Sequence, residues 1–373
     1  MTTENETKEI SQPTVSFSDL PKETQELVRK TQLKHKISEQ YHEHYFGNTP
    51  SVNGVHAYGR MLVPVGGNIY ESSDPDFDWE TPSDFLVSYL KSTFGDSLLG
   101  EELRKEYREM HEVAKWYTKG VPNLEEKVQN RWGKPNGKAL AILHLAYDLF
   151  VLESVNQMPD FILNRLRNKQ NFNGARYELF VFATLVRAGF TLEYSDEKSG
   201  LIGRVPECLA LHTATEQKVY IEAKTRNIKN VLGATQGKSK KIRLYDKLKD
   251  AMQKNIDGPY LIFVDVNHPK VKAEKGHREF EKIRSEYKKF ESSHKDMMPN
   301  LVCFTNIPFH YGANDMSPSS NMIGFMIPRF PKYKLENRVL LELDSSIKKY
   351  DYLPKEFQES SAHADRILDN TNA

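Results

Sequence analysis

The chain has 373 residues, and at about 150 residues per domain that is enough for two domains or for one domain with a large appendage. Fifty-two Lys and Arg against 51 Asp and Glu leave a formal charge of +1, which excludes a purely electrostatic, histone-like nucleic-acid binder and requires any basic surface to be local. Two cysteines, Cys208 and Cys303, cannot build a disulfide framework or a structural zinc site, and no stretch approaches the roughly 20 apolar residues that span a bilayer. Without a signal-type N-terminus, cytoplasmic residence is expected.

Residues 1–18 are polar and aperiodic and predict a disordered leader. Asp19 and Pro21 suit the start of a charged helix running to about Tyr45. Loose alternation from Gly54 to Tyr70, punctuated by Gly59 and Gly66-Gly67, predicts a small hairpin. Thr81-Pro82-Ser83-Asp84 opens an amphipathic helix ending near Gly95, and further helices are expected at about 97–118, 138–156 and 159–168. Residues 19–170 therefore form a mainly helical region. Beyond it, Asn173 is expected to cap an apolar helix that Gly189 stops. β-type runs follow at about 190–194, 205–212, 218–224, 260–266, 301–307, 322–327 and 338–343, with charged helices at about 240–255 and 277–292 between them. Alternating strands and helices predict an α/β domain over 171–345, followed by a polar C-terminal tail at 346–373.

The chemistry gathers between Arg204 and Arg226, RVPECLALHTATEQKVYIEAKTR. If Thr213–Glu216 forms the turn of a hairpin, opposed residue numbers sum to 429, and Glu207 falls opposite Glu222. Opposed Cβ atoms lie about 4.5–5.5 Å apart, close enough for two carboxylates to share a divalent cation. The period of two puts Lys224 on the same face as Glu222, while Val219, Ile221 and Ala223 point to the core. Two such acids repel unless a cation lies between them, and oxygen-only ligation favours Mg²⁺ or Mn²⁺ over zinc. A third acid, Glu178, lies on the helical stripe of Val181, Phe182 and Leu185 that should pack on the sheet.

In order and spacing, RYELFVFATLVRAGF, then PECLA, then YIEAKTR resembles the PD-(D/E)xK nuclease superfamily, nearest to its Holliday-junction resolvase and Mrr-type endonuclease group, over roughly residues 172–266. The resemblance implies a restriction-endonuclease-like fold, a mixed β-sheet core flanked by helices, here preceded by the helical region. It implies Mg²⁺- or Mn²⁺-dependent hydrolysis of DNA, with RNA an open alternative. Glu178, Glu207, Glu222 and Lys224 match the catalytic positions. Glu207 and Glu222, with the Ala223 carbonyl, match the metal ligands. Many relatives are dimers, which makes a homodimer compatible with it. One departure is that Glu207 stands where an Asp is usual. The competing expectation is an inactive module of the same fold that binds nucleic acid or protein. A basic stretch after the motif, Arg226, Lys229, Lys238, Lys240, Lys241 and Arg243, is the candidate phosphate-tracking surface. Pro159-Asp160 also spells a Pro-acid pair, but it opens a helix with no Glu-x-Lys strand nearby and is expected to be structural. No Walker-type or dinucleotide glycine loop is present.

Overall fold

A computed structural model describes residues 20–72, 79–129, 135–195, 205–226, 244–254, 256–267, 273–294, 298–312 and 322–371. The expected leader at 1–18 lies outside them. Two compact units form, one joining the chain up to His44 with the segment from Glu359, the other running from Tyr45 to Gln358. The smaller unit pairs α1 (Lys22–Tyr45) with α11 (Glu359–Thr371) through a Lys34–Asp365 ion pair at 2.8 Å, a Tyr41–Glu359 hydrogen bond at 2.7 Å and stacking of Tyr41 on His363. Part of the stretch expected to be a polar tail is thus helical, and Tyr350 within it is buried.

In the larger unit the expected hairpin is a three-stranded antiparallel sheet, β1 (Val55–Ala57), β2 (Arg60–Val65) and β3 (Asn68–Glu71), with turns at the anticipated glycines. Helix α2 (Pro82–Phe94) starts in a full capping box: the Thr81 hydroxyl accepts from the Asp84 N–H, and the Asp84 carboxylate accepts from the Thr81 N–H at 2.8 Å. Thr81→Ala is expected to lower stability by about 1 kcal/mol, read as a shifted urea midpoint, with Thr81→Ser near wild type. The single helix expected at 97–118 is two, α3 (Asp96–Leu103) and α4 (Glu112–Gln129). The chain breaks because His111 is drawn inward between Phe94 and Phe172, and its N–H donates to Glu102 at 2.6 Å. Helices α5 (Gly137–Ser154) and α6 (Asp160–Arg167) follow as expected, with Asp160 in the first turn of α6.

Helix α7 (Phe172–Arg187) starts one residue before Asn173, so Asn173 lies inside the helix and is not its cap. Gly189 ends the segment with φ +83° and a neighbour 2.8 Å from any added Cβ, which explains why glycine stands there. A six-stranded mixed sheet follows, in the order β4 (Phe190–Tyr194), β5 (Cys208–His212), β6 (Gln217–Lys224), β7 (Tyr260–Asp265), β8 (Leu301–Asn306) and β9 (Met322–Met326). The first three strands are antiparallel, β6, β7 and β8 run parallel, and β9 is antiparallel again. Helix α8 (Leu244–Ala251) connects β6 to β7 and α9 (Ala273–Ser293) connects β7 to β8.

Both faces of the central strands are covered. On one, Ile262, Val264, Val302 and Phe304 pack with Leu244, Leu248, Ile283 and Phe290 from α8 and α9. On the other, α7 crosses the sheet, its Tyr177 hydroxyl 3.0 Å from that of Thr305, and α5 packs behind it. Every residue of β7 and β8 is buried, as two-sided cover requires. The β-type run expected at 338–343 is helical instead, within α10 (Asn337–Lys348). Its buried residues, Val339, Leu343, Ser346 and Ile347, recur at helical spacing, and the run of adjacent apolar residues concealed that period. No helix among the described residues is long and apolar enough to cross a membrane.

Candidate active site

The β5–β6 hairpin has the anticipated register: Cys208 opposes Ile221, Ala210 opposes Val219 and His212 opposes Gln217. Regular pairing stops at Cys208. Beyond it, the Glu207 N–H donates to the Ile221 carbonyl at 2.9 Å, so Glu207 does not pair opposite Glu222 as the turn predicted, and the Glu207 carbonyl accepts from the Ser195 N–H just past β4. Cys208, Ala210, Val219 and Ile221 fill the core on the α7 side, so Glu222 and Lys224 take the opposite face.

Glu222 is fully buried, and each of its carboxylate oxygens meets an ammonium, Lys224 at Oε1 and Lys254 at Oε2, the latter at 2.5 Å. Lys254 was not foreseen. It also donates to the Val205 carbonyl at 2.6 Å, which ties it to the strand entry that carries Glu207. Burial alone would lower the pKa of Lys224, but Glu222 first, then Glu207 and Glu178, overcome it and hold the ammonium above its usual value. Glu207 shows the reverse balance. Burial, then the charges of Glu178 and Glu222, push its carboxyl up to about 7 against the opposing pull of Lys254 and Lys224.

Helix α7 supplies Glu178, nearly buried and gripped bidentately by Arg165 of α6, at 2.5 and 2.7 Å. Thus Glu178, Glu207, Glu222 and Lys224 are brought into one electrostatic cluster, joined by Lys254 and Arg165. Arg165 and Lys254 carry no sequence signal of their own. Arg165 sits in α6 and Lys254 in the connection after α8, each among other basic residues, and the partner of each is remote along the chain.

The Glu207 carboxyl binds its proton more tightly in the folded chain than the ordinary carboxyl of the unfolded one. Its contribution to stability is therefore fully present below about pH 4.3 and is lost as pH rises through about 7. Urea unfolding from pH 4 to 8 should show Glu207→Gln gaining stability relative to wild type across that window; a constant difference would contradict the raised proton affinity.

Among the basic residues expected to track phosphates, only Arg226 is described. It is half-buried at the end of β6, where its carbonyl accepts from the Asn267 side chain at 2.5 Å and its guanidinium reaches the Asn267 carbonyl at 3.4 Å. Lys229, Lys238, Lys240, Lys241 and Arg243 lie outside the described residues. Cys208 and Cys303 are buried free thiols. Among the described residues no three His, Cys, Asp or Glu side chains are grouped so as to hold a metal ion. Compared with protein-family models, with curated proteins and with solved structures, the chain matches none.

Proposed function

We propose that this chain is a metal-dependent nuclease that hydrolyses DNA phosphodiester bonds through a PD-(D/E)xK-type site. The observation that carries this reading is the buried Glu222 carboxylate on β6 beside Lys224, tied through Lys254 to the strand entry that bears Glu207. Burial first, then the charges of Glu178 and Glu222, raise the proton affinity of Glu207 there. Buried acids clustered in this way call for a cation. A mixed sheet with helices on both faces is the architecture that such a nuclease requires.

The donor set fits a hard divalent ion. Glu207 and Glu222 offer carboxylate oxygens, and the carbonyl of Ala223, next after Glu222, offers another of the same character. A Mg²⁺ or Mn²⁺ bound there supplies Lewis-acid polarisation of a phosphoryl oxygen and a water of lowered pKa. Lys224, partly exposed beside Glu222, orients the attacking water and offsets charge developing on the phosphate. Glu178, fixed by Arg165, supports the carboxylate pair from the helix side. Arg226 and the basic residues after it would follow the backbone of DNA.

A second reading has its own observation. Two of the three acids are already ion-paired by protein bases, Glu178 by Arg165 and Glu222 by both Lys224 and Lys254, so protein groups alone offset much of the charge of the cluster. That is what an inactive module of the same fold, binding nucleic acid or protein, would retain. Incubating the purified chain with supercoiled plasmid, branched DNA and single-stranded RNA in Mg²⁺ or Mn²⁺ separates the two. DNA cleavage abolished by EDTA is expected; no cleavage of any substrate, together with no metal bound in calorimetry, would favour the module.

A further inference from the structure

Two ammonium groups share the buried Glu222, but only Lys224 belongs to the Glu-x-Lys pair. Lys254 comes from the connection after α8, outside regular helix, on a flexible four-carbon stem. Its side chain is 8 % exposed, against 24 % for Lys224. Its Nζ lies 2.5 Å from Glu222 Oε2 and 2.6 Å from the carbonyl oxygen of Val205, two residues before Glu207. One charge therefore links the β6 carboxylate to the strand entry that carries the other acid. Of the two lysines, Lys254 also exerts the larger pull on Glu207.

An ammonium and a divalent ion seek the same hard oxygens, and both cannot hold Glu222 Oε2 at once. We propose that Lys254 is a tethered cation that occupies the metal position at Glu222 until a divalent ion displaces it. This rests on the metal-dependent reading above. The lysine keeps Glu222 neutralised and oriented while the site is empty of metal, and it sets a threshold for metal loading. When a divalent ion enters, the Lys254 ammonium leaves Glu222 and the Val205 carbonyl and moves into solvent.

Titration calorimetry with Mn²⁺ alone, on the full chain, tests this with wild type, Lys254→Met and Lys254→Met/Glu222→Gln. If the ammonium occupies the position nine-tenths of the time or more, its removal tightens the apparent Kd by about tenfold or more. The double variant should then lose that binding. Equal or weaker Mn²⁺ binding by Lys254→Met, with wild type still binding through Glu222, would overturn the tethered-cation role and leave the metal-dependent reading standing. No binding by any of the proteins would overturn both.

Should Lys254→Met fail to give a native circular-dichroism spectrum, the wild-type chain decides. Acylation of Lys254 by an amine-reactive ester, quantified by peptide mass spectrometry, should rise several-fold on adding Mn²⁺. Unchanged protection at saturating metal would overturn the proposal.

Discussion

Lys224→Ala is expected to slow plasmid cleavage in Mg²⁺ by roughly 10²–10³-fold, the cost of removing one donor aimed at developing charge. The fold should tolerate the change. Glu222 keeps an ammonium from Lys254 at its other oxygen, so the truncation does not strand an unpaired buried carboxylate, and Lys224 itself is partly exposed. The urea midpoint should therefore move little while the rate collapses. Glu222→Gln should reduce the rate at least as far, because it removes charge from the carboxylate on which both lysines converge. Equal cleavage by wild type and Lys224→Ala would remove Lys224 from the mechanism.

Away from the candidate site, the largest stability losses are expected at Arg176 and Asp148. Arg176 of α7 donates to Asp148 Oδ2 of α5 at 2.7 Å and to the Tyr350 hydroxyl at 3.0 Å, and that hydroxyl in turn donates to Asp148 Oδ2 at 2.8 Å. His310 Nε2 is 2.9 Å from the same hydroxyl. All four residues are buried, and burial outweighs Arg176 in raising the Asp148 pKa. A pair in such surroundings adds little net stability as a pair, yet removing one partner leaves the other uncompensated, at about 3–5 kcal/mol. Arg176→Met and Asp148→Asn should each lower Tm by on the order of ten degrees. Tyr350→Phe, which leaves the ion pair intact, should cost about 1–2 kcal/mol. Because the two members of the pair are coupled, the Arg176→Met/Asp148→Asn double variant should be less destabilised than the two singles together. An unchanged Tm for Arg176→Met would show that the pair does not hold α5 to α7.

Local chemistry accounts for what could be read in advance. The hairpin register followed from a four-residue turn and the alternation of apolar positions, both written in the 206–224 segment. The apolar helix α7 and the start of α2 at Thr81 were legible for the same reason, although α7 is buried on every side and not along one stripe. Residues 338–343 misled because VLLEL has the composition of a strand, and only the buried positions at helical spacing reveal α10. The break between α3 and α4 depends on where His111 finds aromatic neighbours, one of them about sixty positions further along the chain. Arg165, Lys254 and the Arg176–Asp148–Tyr350 hub are equally non-local. Charged residues in amphipathic helices look alike until a fold chooses which of them is turned inward.

The tight bend at Thr213–Glu216 carries more than its own conformation. Its length, with Glu216 at φ +56° and His212 held to Thr215, sets which side of the sheet every residue before it occupies. Loss or gain of one amino acid there would swap the two sides of β5 relative to β6, driving Cys208 outward and displacing Glu207 at the strand entry. Such an indel would dismantle the acid cluster without touching any of its members, so over evolutionary time this loop should tolerate changes of residue far better than changes of length.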